Sequence, residues 1–157
     1  MFNVVLIEPQ IPPNTGNIGR LCIATKSKFH LVEPLGFDIS EKAVRRAGLD
    51  YWKHVDLTVH KSYADFRASL PATARLWFFS KFAKRSFFDV KLQQGDYLVF
   101  GKETTGLPEE VHKQEEERLV RIPMPGYEIV RSLNLAGTVH IALYEALRQT
   151  GFPAESV

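Results

Sequence analysis

The sequence holds a single cysteine, Cys22, among 157 residues. No disulfide can form within the chain, and a cysteine-based metal site is disfavoured. The five histidines, His30, His54, His60, His112 and His140, show no metal-ligand spacing, so no metal is expected. No stretch approaches the ~20 apolar residues of a membrane span. The N-terminus, Met1-Phe2-Asn3-Val4-Val5, has no basic leader before its apolar run, so it does not read as a signal peptide. The expectation is a cytoplasmic chain without a membrane partner. No G-x-G-x-x-G follows an expected strand, which removes the standard dinucleotide fingerprint. Gly101 and Gly106 have the spacing of a phosphate loop, but Leu107-Pro108 stands where Lys-Ser/Thr is required. There is no G-x-S-x-G elbow for a serine hydrolase. Cys22, in an apolar helical context, reads as core rather than as a nucleophile.

What is present is ordinary globular composition, 45% apolar and 24% charged. At this length one domain over residues 1–157 is expected. The net charge of +2 conceals an asymmetry. Residues 20–85 carry a net of +7 and residues 86–157 a net of −4. A basic half suits either a polyanion partner or a solvated face.

Apolar runs and helical stretches alternate along the whole chain. Strands are expected at Phe2–Glu8, Phe29–Val32, Val55–Val59, Arg75–Phe79, Asp96–Phe100 and Arg118–Ile122. Helices are expected from Ile18 to Lys26, with Asn14-Thr15-Gly16-Asn17 as capping residues, and from Ser40 to Ala47. Further helices are expected at Tyr63–Leu70, from Pro108 onward, and from Asn134 to Gln149. This alternation argues an α/β fold with a parallel sheet. The last helix is apolar almost all round, which fits either a deeply buried helix or a homodimer interface.

Three segments follow strands and mix Gly and Pro with a few polar side chains, the pattern of a site built largely from backbone. They are Pro12 to Arg20, Phe100 to Pro108, and Ile122-Pro123-Met124-Pro125 with Arg131-Ser132-Leu133-Asn134-Leu135. Asn14-Thr15-Gly16-Asn17-Ile18-Gly19-Arg20, Gly101-Lys102-Glu103-Thr104-Thr105-Gly106-Leu107-Pro108, and Ile122-Pro123-Met124 with Ser132-Leu133-Asn134-Leu135, resemble the three motifs of the SpoU branch of the SPOUT methyltransferases. The form Gly101-x-Glu103-Thr104-x-Gly106-Leu107-Pro108 resembles that of the tRNA wobble-nucleotide 2′-O-methyltransferases. The likeness covers nearly the whole chain. Two departures stand out: Ala136 occupies a position that is often Ser, and Pro125–Val130 is a few residues longer than usual.

The resemblance implies a single-domain α/β knot with a deep C-terminal trefoil, a feature that pattern reasoning does not supply. It implies S-adenosylmethionine as donor, lined by Phe79, Gly101, Glu103, Ile122, Ser132 and Leu133. It implies 2′-O-methylation of nucleotide 34, cytidine or a modified uridine, in the tRNA anticodon stem-loop. It implies a homodimer formed through the C-terminal helix. The alternatives are another tRNA or rRNA site, or a non-catalytic RNA-binding module on the same fold.

Arg20, Asn14 and Asn134 are the expected catalytic residues. A guanidinium titrates above ~12 and is a poor base, so Arg20 is expected to polarise the ribose hydroxyl rather than deprotonate it. Asn14 and Asn134 are each open to a capping role as well as a site role. Glu103 is open to holding its loop or to meeting the donor amine. Lys81, Lys84 and Arg85, interleaved with Phe82, Phe87 and Phe88, suit unpaired anticodon bases or a solvated loop.

Overall fold

Residues Asn3–Ile7 form the first strand, β1, and all five are buried. Burial on both faces is what a continuous apolar run requires, and it places this strand at the centre of a sheet. A computed structural model describes residues 1–155. In chain order, α1 (Pro12–Ala24) and β2 (Lys28–Val32) follow, then α2 (Glu41–Arg46), β3 (Leu57–His60), α3 (Tyr63–Ser69) and β4 (Leu76–Phe79). The second half adds β5 (Tyr97–Phe100), α4 (Glu109–Gln114), β6 (Leu119–Val120) and α5 (Leu135–Thr150).

The strands make one six-stranded sheet in the order β3-β2-β1-β5-β4-β6. Every pairing is parallel. The parallel α/β expectation holds. Alternation along β1 divides the core in two. Val4 and Leu6 face a cluster that includes Phe29, Leu98 and, from α5, Val139 and Leu143. Val5 and Ile7 face the other side, with Phe66 of α3, Phe78 and Val111 of α4. Cys22 lies fully buried in the first cluster, and burial pushes its thiol up, as a core residue requires.

Of the boundaries that differ from the sequence reading, three stand out. The first helix begins at Pro12, not Ile18, so the whole first motif is helical and is not a loop. Proline at the first two helical positions needs no intrahelical N–H bond there, and its fixed φ suits the turn. Asn14 therefore sits inside the first turn and does not cap it; the N-cap is Ile11. The third strand starts two residues late, at Leu57. The sixth is only Leu119–Val120, prolonged by a single bridge between Ser86 and Arg121.

Candidate active site

The site grows from the loop after β5. Lys102 and Gly106 close it with a reciprocal pair of backbone hydrogen bonds, 3.1 and 2.9 Å. That closure folds the chain back on Gly101. A Cβ there would lie 2.0 Å from the Gly106 carbonyl carbon and 2.1 Å from the Leu107 nitrogen. Gly106 holds φ +73°, a left-handed conformation. Both glycines of the second motif are thus demanded by the loop's own backbone.

The closed loop aims Glu103 at the start of α1. Its carboxylate accepts from the backbone N–H of Gln10 at 2.8 Å and of Ile11 at 2.9 Å. Helix α1 has no side-chain cap of its own, and a carboxylate at a helix N-terminus meets both unsatisfied donors and the positive end of the dipole. Of the two roles open to Glu103, the loop-holding one is the one this geometry uses. Thr104 adds a hydroxyl bond to Gln10 Oε1 at 2.7 Å, and Lys102 pairs with Glu8 at 3.0 Å.

From Glu103 a relay runs through the other two motifs. Asn14 Nδ2 lies 3.4 Å from Glu103 Oε1. Asn14 Oδ1 accepts from Asn134 Nδ2 at 3.1 Å. Asn134 Oδ1 in turn accepts from Gly137 N at 3.1 Å and caps α5. Two of the three expected catalytic residues therefore meet, and through Glu103 they couple to the rim of a cavity.

That cavity measures about 870 Å³ and opens at the C-terminal ends of β4, β5 and β6. Phe79, Gly101, Glu103, Ile122, Ser132 and Leu133 all line it. Phe79 stacks on Phe100 with centroids 4.3 Å apart, giving the floor a flat apolar face. Volume and lining are of the kind that takes a nucleoside-sized ligand, with apolar faces and backbone polar groups combined.

Sequence reasoning missed several lining residues. His112 and Lys113 face the cavity from α4 together with Glu109. Their i, i+3, i+4 spacing behind Pro108 is the signal that could have found them. His112 Nε2 lies 3.0 Å from Ser80 Oγ. Met124 and Arg121 also line the wall.

The basic stretch divides. Lys81 lines the cavity and stands 5.2 Å from the centre of the Phe82 ring. Lys84 and Arg85 are exposed and lie outside the lining. Phe82 is 68% exposed and Phe88 46%, whereas Phe87 is core. Of these three rings, Phe82 and Phe88 are available to another molecule. Arg20 is exposed on α1, outside the cavity lining, with its guanidinium over the Tyr51 ring. Among the described residues no cluster of His, Cys, Asp or Glu could hold a metal, and no helix is long and apolar enough to cross a membrane.

The model of the SpoU rRNA methylase family matches residues 1–144. The chain belongs to this family. Within SpoU relatives, a tRNA (cytidine(34)-2'-O)-methyltransferase of Burkholderia pseudomallei is 48% identical over 155 residues, 97% of each chain. A solved structure described as "Structural insights into the 2-OH methylation of C/U34 on tRNA" superposes with TM-score 0.87 at 48% identity, covering 95% of both chains. An AdoMet-bound rRNA methyltransferase from Sinorhizobium meliloti superposes with TM-score 0.78 at 27% identity, covering 94% of this chain and 56% of that one.

Proposed function

We propose that this chain is a tRNA 2′-O-methyltransferase that modifies the ribose of nucleotide 34, cytidine or a modified uridine, with S-adenosylmethionine as donor. One observation carries the reading: all six residues expected to bind the donor line a single cavity, in a chain 48% identical to a cytidine(34) enzyme over nearly its full length. The cavity fits the donor's parts. The stacked Phe79–Phe100 pair, Ile122 and Leu133 offer an apolar face for an adenine. Main-chain groups around Gly101 and the Ser132 hydroxyl supply polar contacts. When bound, S-adenosylmethionine supplies an electrophilic sulfonium methyl, and transfer needs a hydroxyl oxygen aligned with that methyl and relieved of its proton.

The chain's own residues provide the alignment and the polarisation. The Glu103–Asn14–Asn134 relay fixes the loop, α1 and α5 relative to one another. Arg20 polarises the ribose hydroxyl and stabilises the developing oxyanion, and a neighbouring RNA phosphate oxygen takes up the hydroxyl proton as the methyl passes from sulfonium to oxygen. Its position off the cavity lining favours assembly of the complete centre from two copies. Helix α5 supports that homodimer: Val139, Leu143 and Leu147 face the core, while Ile141 and Tyr144 are 40% and 49% exposed on its other side. Tyr144→Glu is expected to sediment as a monomer.

The test of function is methyl transfer to total tRNA, with the product nucleoside mapped by mass spectrometry. A 2′-O-methyl mark at position 34 is expected, and a mark elsewhere removes the substrate assignment. Arg20→Ala is expected to retain donor binding by calorimetry and to lose at least ~100-fold in turnover, the scale of one oxyanion-stabilising donor.

A further inference from the structure

Arg20 is exposed on α1. Among the described residues no carboxylate pairs with it and no hydrogen bond uses its guanidinium. Its one close partner is an aromatic face: the guanidinium carbon lies 6.0 Å from the centre of the Tyr51 ring. A guanidinium held over a ring keeps its in-plane N–H donors unspent.

The ring is itself fastened. Tyr51 donates its hydroxyl to the carbonyl oxygen of Gly16 at 3.0 Å. Gly16 is four residues before Arg20, so the two lie on the same face of α1, one turn apart. Tyr51 therefore spans that turn, its hydroxyl anchored on the backbone at one end and its ring under the guanidinium at the other.

Gly19 of the first motif makes room for this arrangement. A Cβ on Gly16 would meet the Leu49 methyls at 3.5 Å and the Tyr51 hydroxyl at 3.7 Å, ordinary contacts. A Cβ on Gly19 would lie 2.7 Å from the Trp52 ring. Positions 16, 19 and 20 share one helix face. Leu49, Tyr51 and Trp52 dock on it as a unit, and Trp52 also packs edge-on against core Phe29 with centroids 6.4 Å apart. The side chain beneath Arg20 thus belongs to a packed segment and not to a free loop.

We propose that Tyr51 is a positioning residue that holds the Arg20 guanidinium ready, with its donors free, for the ribose hydroxyl and backbone of the RNA. The proposal rests on the role given to Arg20 above. Tyr51 touches neither donor nor reacting atoms in this arrangement; it acts through Arg20 alone.

The test uses the full chain and two readouts. In Tyr51→Leu the single-turnover rate of methyl transfer to tRNA is expected to fall about fivefold, the scale of one exposed cation–π contact. Calorimetric affinity for S-adenosylmethionine is expected to stay unchanged. In the same variant, ¹⁵N relaxation at the Arg20 Nε–H is expected to show greater disorder while the α1 backbone amides stay rigid. Tyr51→Phe keeps the ring and drops the Gly16 bond, so its rate is expected to lie between those of the native chain and Tyr51→Leu; it decides the matter if Tyr51→Leu does not fold. In an Arg20→Ala background, Tyr51→Leu is expected to add no further loss. An ordered Arg20 in Tyr51→Leu, an undiminished rate, or the same fivefold loss in the Arg20→Ala background would each overturn the proposal. Full turnover in Arg20→Ala alone would instead remove the role of Arg20, whatever Tyr51 does.

Discussion

His30 shows how a buried side chain far from the cavity shapes the behaviour of the protein. It is 8% exposed in the middle of β2. Asn3 Nδ2 donates to the Gly95 carbonyl, so Asn3 Oδ1 is the atom that accepts from His30 Nε2, at 3.1 Å. His30 Nδ1 must then accept from His60 Nε2, also at 3.1 Å. A proton added at Nδ1 would meet a donor, beside the rings of Phe66 and Tyr97. Burial first, then His60 and Lys28, lower the imidazole to about 4, with Asp56 opposing. Its folded value lies below its unfolded one, so the stabilisation is complete above pH ~6.5 and is lost as pH falls toward ~4. The whole effect is about 3 kcal/mol. Urea midpoints between pH 6.5 and 4.5 are expected to drop more steeply for the native chain than for His30→Leu. Parallel slopes would show that His30 carries no such linkage. None of this is visible in the sequence, where His30 is only one of five histidines without metal spacing: both of its partners come from other strands or their approaches.

At the scale of elements, the strands are legible because short apolar runs between turn residues have few other structures open to them. All six expected donor-lining positions fall together because each motif sits at or beyond a strand end, and a parallel sheet gathers strand ends on one edge. The start of helix α1 escapes a sequence reading for a non-local reason. Pro12 and Pro13 read as loop formers, and the group that caps the helix, Glu103, lies 92 residues from Ile11. No local pattern can pair them, just as none can give the sheet order, and the knot is implied only by family likeness. The same relay gives a prediction that separates fold from function. Asn134 caps α5 through Oδ1 and reaches Asn14 through Nδ2. Asn134→Ala is expected to cost about 1 kcal/mol of stability, the usual worth of an N-cap, and to lose activity as well. Asn134→Ser restores a capping oxygen but has no amide to donate to Asn14. It is expected to recover the thermal midpoint while turnover stays low. Recovery of both would confine Asn134 to capping.

At the scale of the molecule, the charge asymmetry acquires a geometry. The acidic half supplies most of the cavity lining and the helix proposed to meet a second copy, where a polyanion need not land. The basic half runs from Arg20, on α1, to Lys81, Lys84 and Arg85, on the segment after β4. Lys81 reaches the cavity rim, while Lys84 and Arg85 extend the positive surface outward with Phe82 and Phe88 exposed beside them. An RNA strand bound along this surface would have phosphates over the lysines and unpaired bases against the rings. The cavity proposed to hold the donor is lined by neither of the outer two cations. Replacing Lys81, Lys84 and Arg85 by alanine is therefore expected to leave S-adenosylmethionine affinity intact and to weaken tRNA binding. Loss of three proposed phosphate contacts is expected to reduce the slope of log K against log salt by roughly 2 to 3. Binding measured from about 50 to 200 mM salt checks this. A uniform loss with an unchanged slope would mean that the substitutions had disturbed the fold, and an unchanged affinity would move the RNA surface elsewhere on the basic half, with α1 and Arg20 the next region to probe.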